Sequence, residues 1–421
     1  MERKSLRAMQ QEAIDTGNLR VRVRVEGREI PVPDADVKIS YSGEPDSTVE
    51  EVVTDSTGQT ESVVLKTPPL EYSMEPSEVQ PYSEYTLQIS APGYESVTIT
   101  GAELLSAQTA LQEVWLRPVE VGEVPDVITI PDHTLYGVYP PKIAESEIKP
   151  METSGEIVLS RVVIPEYVVV HDGSPRDTTA GDYYVRYRDY IKNVASSEIY
   201  ATWPRETIMA NVLAIMSFTL NRVYTEWYRN KGFDFTITSS TAFDQKWIYG
   251  RNTFESIAEV VDELFDSYLS RPNVKQPILT QYCDGNRVTC PNWMSQWGSK
   301  NLGDQGYQAM DIIRYYYGDS MYRNTAEEIS GIPASWPGYS LDIGSSGPKV
   351  RQIQEQLNTI SEHYPRIPKI AADGIYGEKT QDAVRVFQSV FGLPQTGVVD
   401  YRTWYKIQEI YVGVTRIAEL V

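Results

Sequence analysis

One carboxylate in this chain sits where a carboxylate can do acid–base work. Glu198 follows a short helical pattern through Tyr190, Ile191, Val194 and Ala195, which Asp189 can cap. Ile199, Tyr200 and Trp203 come directly after it. A carboxyl beside bulky apolar side chains is poorly solvated, so its charged form is disfavoured. Its pKa then rises toward the range that a general acid needs. The competing reading is an ordinary solvated Glu at a helix end, the common case for this residue type. Other candidates are few. His171-Asp172-Gly173-Ser174 collects three hydrolase-type residues, but members of a triad meet through tertiary contacts, and neighbours in one turn cannot face one another. That stretch reads as a turn. Cys283 and Cys290 flank Asp284-Gly285-Asn286, so a hairpin would bring the two sulfurs together, as a small disulfide or as free thiols. Zinc is disfavoured, because His133, His171 and His363 lie out of sequence reach of the pair. No metal or other cofactor is expected.

The elements that must position Glu198 are two helices and what packs on them. The first ends at Glu198, which lies at its exit loop. Trp203-Pro204 opens the second, because a proline suits a first helical turn. Apolar residues recur at Ile208, Val212, Ile215, Met216, Val223 and Trp227, and Gly232 supplies a stop. A strand over Glu166–Val170 precedes the pair, and an alternating stretch over Phe233–Thr238 follows it. Asn252 and Glu255 suggest a capped helix with an apolar face of Phe254, Ile257, Val261, Leu264, Tyr268 and Leu269.

Length and composition bound the rest. The 421 residues suggest about three domains. The net charge is −20, and the first 150 residues hold 12 Lys and Arg against 26 Asp and Glu. That excess of acid reads as a solvated face and argues against nucleic-acid binding, which needs a basic footprint. No apolar run approaches a membrane span. Residues 1–17 form a charged leader without the apolar stretch of a conventional signal peptide. Residues 18–117 read as a β-sandwich: Leu19, Val21, Val23 and Val25 alternate with arginines, and further short strands carry Val37, Ile39, Val63, Leu65, Leu87, Ile99 and Val114 between turn signals. Residues 118–156 are rich in Pro and Glu and read as an extended linker. An α+β domain over 157–325, a linker over 326–339 and a three-helix domain over 340–421 complete the chain.

Three resemblances bear on function. Tyr-Ile-x-x-Val-x-x-x-Glu ending at Glu198, then Trp203-Pro204 and a long helix, resembles the catalytic region of the SpoIID family of peptidoglycan lytic transglycosylases. So do Ser295-Gln296-Trp297-Gly298 and the helix ending in Tyr315-Tyr316-Tyr317-Gly318. Within that group the chain looks most like the clostridial spore cortex-lytic enzymes of the SleC type. Leu341-Asp342-Ile343-Gly344, Ala372-Asp373-Gly374-Ile375-Tyr376-Gly377 and Gly392-Leu393-Pro394 are similar to the peptidoglycan-binding type 1 domain. "PVPDADVKI", "TDSTGQT" and "APGYES" resemble a carboxypeptidase regulatory-like module, an accessory without catalysis.

These resemblances imply a spore- or wall-associated enzyme that cleaves MurNAc–GlcNAc bonds with formation of anhydro-muramic acid. Glu198 would be its single acid/base; the polar residues around it do not carry over from the family, and Tyr200, Trp203, Asn211, Gln296 and Trp297 are the residues of this chain expected to line the glycan groove. The partners implied are peptidoglycan glycan strands and an activating protease that cuts within 118–156. The chain departs from the family in the long helix, where Met209, Asn211 and Met216 replace Lys, Gln and Arg. A protein that binds the wall but has lost activity is therefore the alternative. A zinc amidase is disfavoured for want of a His/Glu ligand set.

Overall fold

Alternation in the first strand builds the N-terminal region. The computed structural model describes residues 15–44, 46–119, 126–149, 161–331 and 334–415. The expected leader lies outside these residues up to position 14, and positions 15–17 already belong to β1 (Asp15–Val25). Leu19, Val21 and Val23 are fully buried. β1 pairs with β4 (Val63–Thr67) in antiparallel and with β7 (Thr109–Leu116) in parallel. A second sheet runs in the order β3 (Thr48–Val53), β2 (Asp36–Tyr41), β5 (Ser83–Ser90), β6 (Val97–Leu104) and β8 (Asp126–Thr129). Val37, Ile39, Leu87 and Ile99 of this sheet share one core with the buried residues of β1.

The segment read as an extended linker is packed instead. β8 adds a parallel strand to the sheet edge at β6. Beyond it, Glu145 meets Arg222, Glu147 meets Arg271, and the Nζ of Lys142 donates to the carbonyl of Asp244 at 2.6 Å. Composition suggested a chain without partners. Glu145 is held because a buried arginine, Arg222, offers it a fixed fork, and Arg271 offers another to Glu147.

In the mixed middle region, β9 (Val163–Ile164) pairs with Glu328–Ile329, so the stretch expected as a second linker begins inside the fold. β10 (Tyr167–His171) lies between β11 (Asp182–Arg186) and β12 (Ile237–Thr238). Helix α1 (Tyr187–Glu198) starts two residues before Asp189, and Arg186 occupies its N-cap position without a side-chain cap. Helix α2 (Arg205–Tyr224) is buried almost all round, as expected of a core helix. It ends at Tyr224 rather than at Gly232, which instead closes a short 3-10 turn with φ +81°. The short strand β13 (Thr253–Phe254) joins the sheet of β7. Helix α3 (Glu255–Leu264) follows without the expected Asn252 cap. The side chain of Asn252 instead bonds the backbone of Glu103 in β6, at 2.8 Å both ways. Tyr268 and Leu269 belong not to that helix but to a strand, Ser267–Ser270.

Cys283 and Cys290 are joined in a disulfide. The hairpin does not form: Tyr282–Cys283 pairs in parallel with Met294–Ser295. Ser295 then caps α4 (Gln296–Asp304) by accepting the N–H of Gly298 at 2.9 Å. A Cβ at Gly298 would come within 2.1 Å of the Tyr316 hydroxyl in α5 (Ala309–Tyr317), which accounts for the glycine.

The C-terminal region is helical: α6 (Pro348–Ser361), α7 (Glu378–Val390) and α8 (Tyr401–Thr415). The same device occurs twice. Buried Gln354 accepts the N–H of Gly374 at 2.8 Å, and buried Gln388 accepts that of Gly397 at 2.8 Å. Both glycines have positive φ, so each glutamine fastens a turn that only glycine enters cheaply. Asp400 caps α8 through the N–H of Thr403 at 2.9 Å.

Candidate functional site

Glu198 is the last residue of α1 and is completely buried. Its Oε1 accepts the backbone N–H of Lys246 at 2.6 Å, and its Oε2 faces Nε2 of Gln296 at 3.5 Å. The Tyr282 hydroxyl is a further donor, and Tyr282 in turn accepts from Gln245 at 3.2 Å. Burial pushes the Glu198 pKa up. The nearby Lys142 ammonium, the Lys246 N–H and the Tyr282 hydroxyl pull it back only in part. Lys142 is itself pushed down to about 8 by burial, and its ammonium lies 4.4 Å from the Tyr282 ring centroid. The result is a carboxyl whose charged form is disfavoured by desolvation and which is aimed by three donors, the combination expected of a general acid.

The residues expected around Glu198 fall into different places. Gln296 is at the carboxyl. Its Oε1 is buried without a hydrogen-bond partner among the described residues. Tyr200, Trp203 and Trp297 form one buried cluster, with Trp203 and Trp297 ring centroids 4.9 Å apart and Tyr200 6.0 Å from each. The rings meet edge-on or tilted and are buried away from solvent. The Trp203 indole N–H also donates to the carbonyl of Ser73 at 3.0 Å, tying it to the N-terminal region. Asn211 bonds partners other than Glu198. Its amide spans α2 and α4, donating to Thr207 O at 2.9 Å and Ser299 Oγ at 2.8 Å. It therefore fixes the helix that carries Gln296. Met216 is in the core and Met209 is half-buried on α2.

The segment before β9 covers the site. His133 stacks on Tyr200 at 4.5 Å, and the Thr134 hydroxyl donates to the carbonyl of Ser197 at 2.6 Å. Tyr139 and Lys142 of the same segment are buried close enough to interact electrostatically with Glu198. Neither these residues nor Tyr282 and Lys246 carry a periodic signal in the sequence. The one available hint was Tyr282 beside Cys283, where the disulfide fixes the strand. His171, for its part, pairs with Asp182 at 2.8 Å across β10 and β11, not with Asp172 or Ser174, so the turn reading stands. Among the described residues no group of three or more His, Cys, Asp and Glu side chains is arranged to hold a metal, and no helix is long and apolar enough to cross a membrane.

The β-rich N-terminal part, the mixed middle and the helical end define a multidomain protein with a wall-binding domain at its C-terminal end. Residues 346–407 match the family model described as "Putative peptidoglycan binding domain". The chain is similar to N-acetylmuramoyl-L-alanine amidase CwlL of Bacillus licheniformis, 25% identical over 230 residues, which are 52% of this chain and 60% of that protein. It is also similar to zinc D-Ala-D-Ala carboxypeptidase of Streptomyces albus G, 38% identical over 77 residues, 18% of this chain and 28% of that protein. The chain thus spans less than two thirds of the length of either curated relative. Among solved structures, the SleB N-terminal domain aligns at 27% identity and a TM-score of 0.16, covering 18% of this chain and 99% of that one.

Proposed function

We propose that this protein is a peptidoglycan lytic transglycosylase of the SpoIID type, delivered to the spore cortex or cell wall by its C-terminal domain. The observation that carries the reading is the state of Glu198: a buried carboxyl, raised in pKa, met by Lys246 N–H, Tyr282 and Gln296. As an acid it would protonate the leaving glycosidic oxygen. As a carboxylate it would then take the proton of the muramic acid 6-hydroxyl while that oxygen closes on the anomeric carbon. One carboxyl serves both steps because the nucleophile is part of the substrate. A hydrolytic glycosidase would need a second carboxylate to activate water or to attack, and the charged groups that dominate at Glu198 are cations, Lys142 and Lys246. The CwlL likeness raises an amidase reading, and a zinc form of it has no three-ligand set among the described residues to support it.

In this reading the chain is latent as folded. Residues 133–142 lie over Glu198 and Tyr200, so a sugar reaches the carboxyl only once they move. A cut within 118–156 by an activating protease would free them. The alternative, a wall-binding protein without activity, draws on the same burial of Glu198 and on Met209 and Met216. Mass spectrometry of muropeptides released from cortex, before and after proteolytic trimming, separates the two. Products ending in 1,6-anhydro-muramic acid support the enzyme, and no release from either form supports the binding protein.

A further inference from the structure

A cavity that does not include Glu198 opens where the three regions of the chain meet. Its volume is about 450 Å³, within the range of pockets that hold small organic ligands. Trp115 comes from β7, Tyr183 from β11, Trp247 and Tyr249 from the loop after Lys246, and Phe391 and Lys406 from the C-terminal domain. The rings of Tyr183, Trp247 and Tyr249 are contiguous, with centroids 4.9 to 6.2 Å apart. Trp115 and Tyr249 are each 38% exposed, large for aromatic side chains inside a cleft. One face of Trp115 carries the Arg24 guanidinium at 4.2 Å.

The charges that line the cavity select the ligand. Cationic and anionic side chains occur there in equal number, and several are already paired: Arg22 and Arg24 with Glu113, Lys192 with Asp262. Such walls offer hydrogen bonds without a net field, so neither a polyanion nor a polycation is favoured. Exposed aromatic rings add flat apolar surface. A neutral molecule with apolar faces and a rim of hydroxyl and amide groups satisfies both, and an N-acetylated amino sugar has that form.

We propose that this cleft binds a short stretch of neutral amino-sugar glycan, a second hold on the strand distinct from the Glu198 site. The inference rests on the wall-directed reading above for the presence of such a strand. One loop serves both places. Lys246 gives its N–H to Glu198 at 2.6 Å, and Trp247 and Tyr249 line the cleft. Asn193 of α1 grips Ile248 between them, accepting its N–H at 2.9 Å and donating to its carbonyl at 2.8 Å. A strand seated against Tyr249 thus bears on the segment that aims the acid.

The test is calorimetric titration of the full chain with β-1,4-linked N-acetylglucosamine tetramer. Trp115→Ala and Tyr249→Ala should each raise Kd by about three- to tenfold, the worth of one lost aromatic contact. Ala258→Trp, placed on the half-buried cleft face of α3, should fill the space and abolish binding. It keeps the test valid if either truncation unfolds the protein. Glu198→Gln should leave the Kd unchanged. The proposal is overturned if wild type shows no binding at saturating tetramer, or if the three cleft variants bind as wild type does, which would place the sugar on the C-terminal domain or at Glu198. Muropeptide release is scored separately. Anhydro products together with neutral cleft variants sink this inference alone, whereas cleft binding without any product sinks the enzymatic reading alone.

Discussion

Replacing Glu198 by Gln keeps the shape of the side chain and removes one transferable proton. The surroundings show how the change is absorbed. The new amide oxygen can still accept the Lys246 N–H, now bonded at 2.6 Å. The new amide nitrogen would face Nε2 of Gln296, a donor against a donor at 3.5 Å. Gln296 resolves this by turning over, so that its Oε1, buried without a hydrogen-bond partner, accepts from the new amide and a hydrogen bond worth about 1 kcal/mol replaces the one lost. Folding should therefore survive. A positioned acid/base contributes about 10²- to 10⁴-fold, so cleavage by the trimmed enzyme should fall by that factor, about 3–5 kcal/mol of barrier.

The pH dependence of stability supplies an independent readout of the same substitution. The folded pKa of Glu198 is raised above its ordinary 4.5 by burial. Its favourable contribution is present below the unfolded value and is lost as pH rises through the folded one. Glu198→Gln should therefore gain stability relative to wild type as the pH climbs from acid to neutral. Muropeptide mass spectrometry reads the first effect, and urea unfolding at several pH values reads the second. Undiminished cleavage would assign the acid to another residue. Products with a reducing-end muramic acid would mean hydrolysis. A variant that loses stability relative to wild type with rising pH would refute the desolvated carboxyl.

Three further outcomes follow from the same geometry. A clean cut within 118–156 should raise activity, since residues 133–142 cover the site; an unchanged rate in a cleavage assay would remove the latency. Residues 340–421 alone should pellet with insoluble peptidoglycan and residues 1–339 should bind more weakly, with equal retention telling against a targeting role. Asp244→Asn should destabilise the protein by about 3–5 kcal/mol, because Arg222 and Asp244 are both fully buried and bonded at 2.7 Å. A change below about 1 kcal/mol in urea unfolding would show that Glu145 and solvent compensate the arginine.

Local pattern determined much of this protein. The apolar spacing put Glu198 at the end of one helix and Pro204 at the head of the next, and strand alternation gave Leu19, Val21 and Val23 their inward face. The glycine-punctuated turns of the C-terminal region marked the domain that matches over 346–407. These features rest on contacts a few residues apart, so the sequence writes them as a period or a cap. Tertiary structure alone decided the rest. The partners of Glu198 lie 48 and 98 residues away, at Lys246 and Gln296. A backbone N–H has no residue type to betray it, and a Gln beside a Trp reads the same in any helix. The cover over the site was hidden for a related reason. Residues 126–149 have a linker's composition, and it takes Arg222, Arg271 and the edge of β6 to convert their carboxylates and backbone into fixed contacts. Tyr200, Trp203 and Trp297 show the limit most clearly: an aromatic's identity says that it will stack, but the fold decides whether on a sugar or on its neighbours.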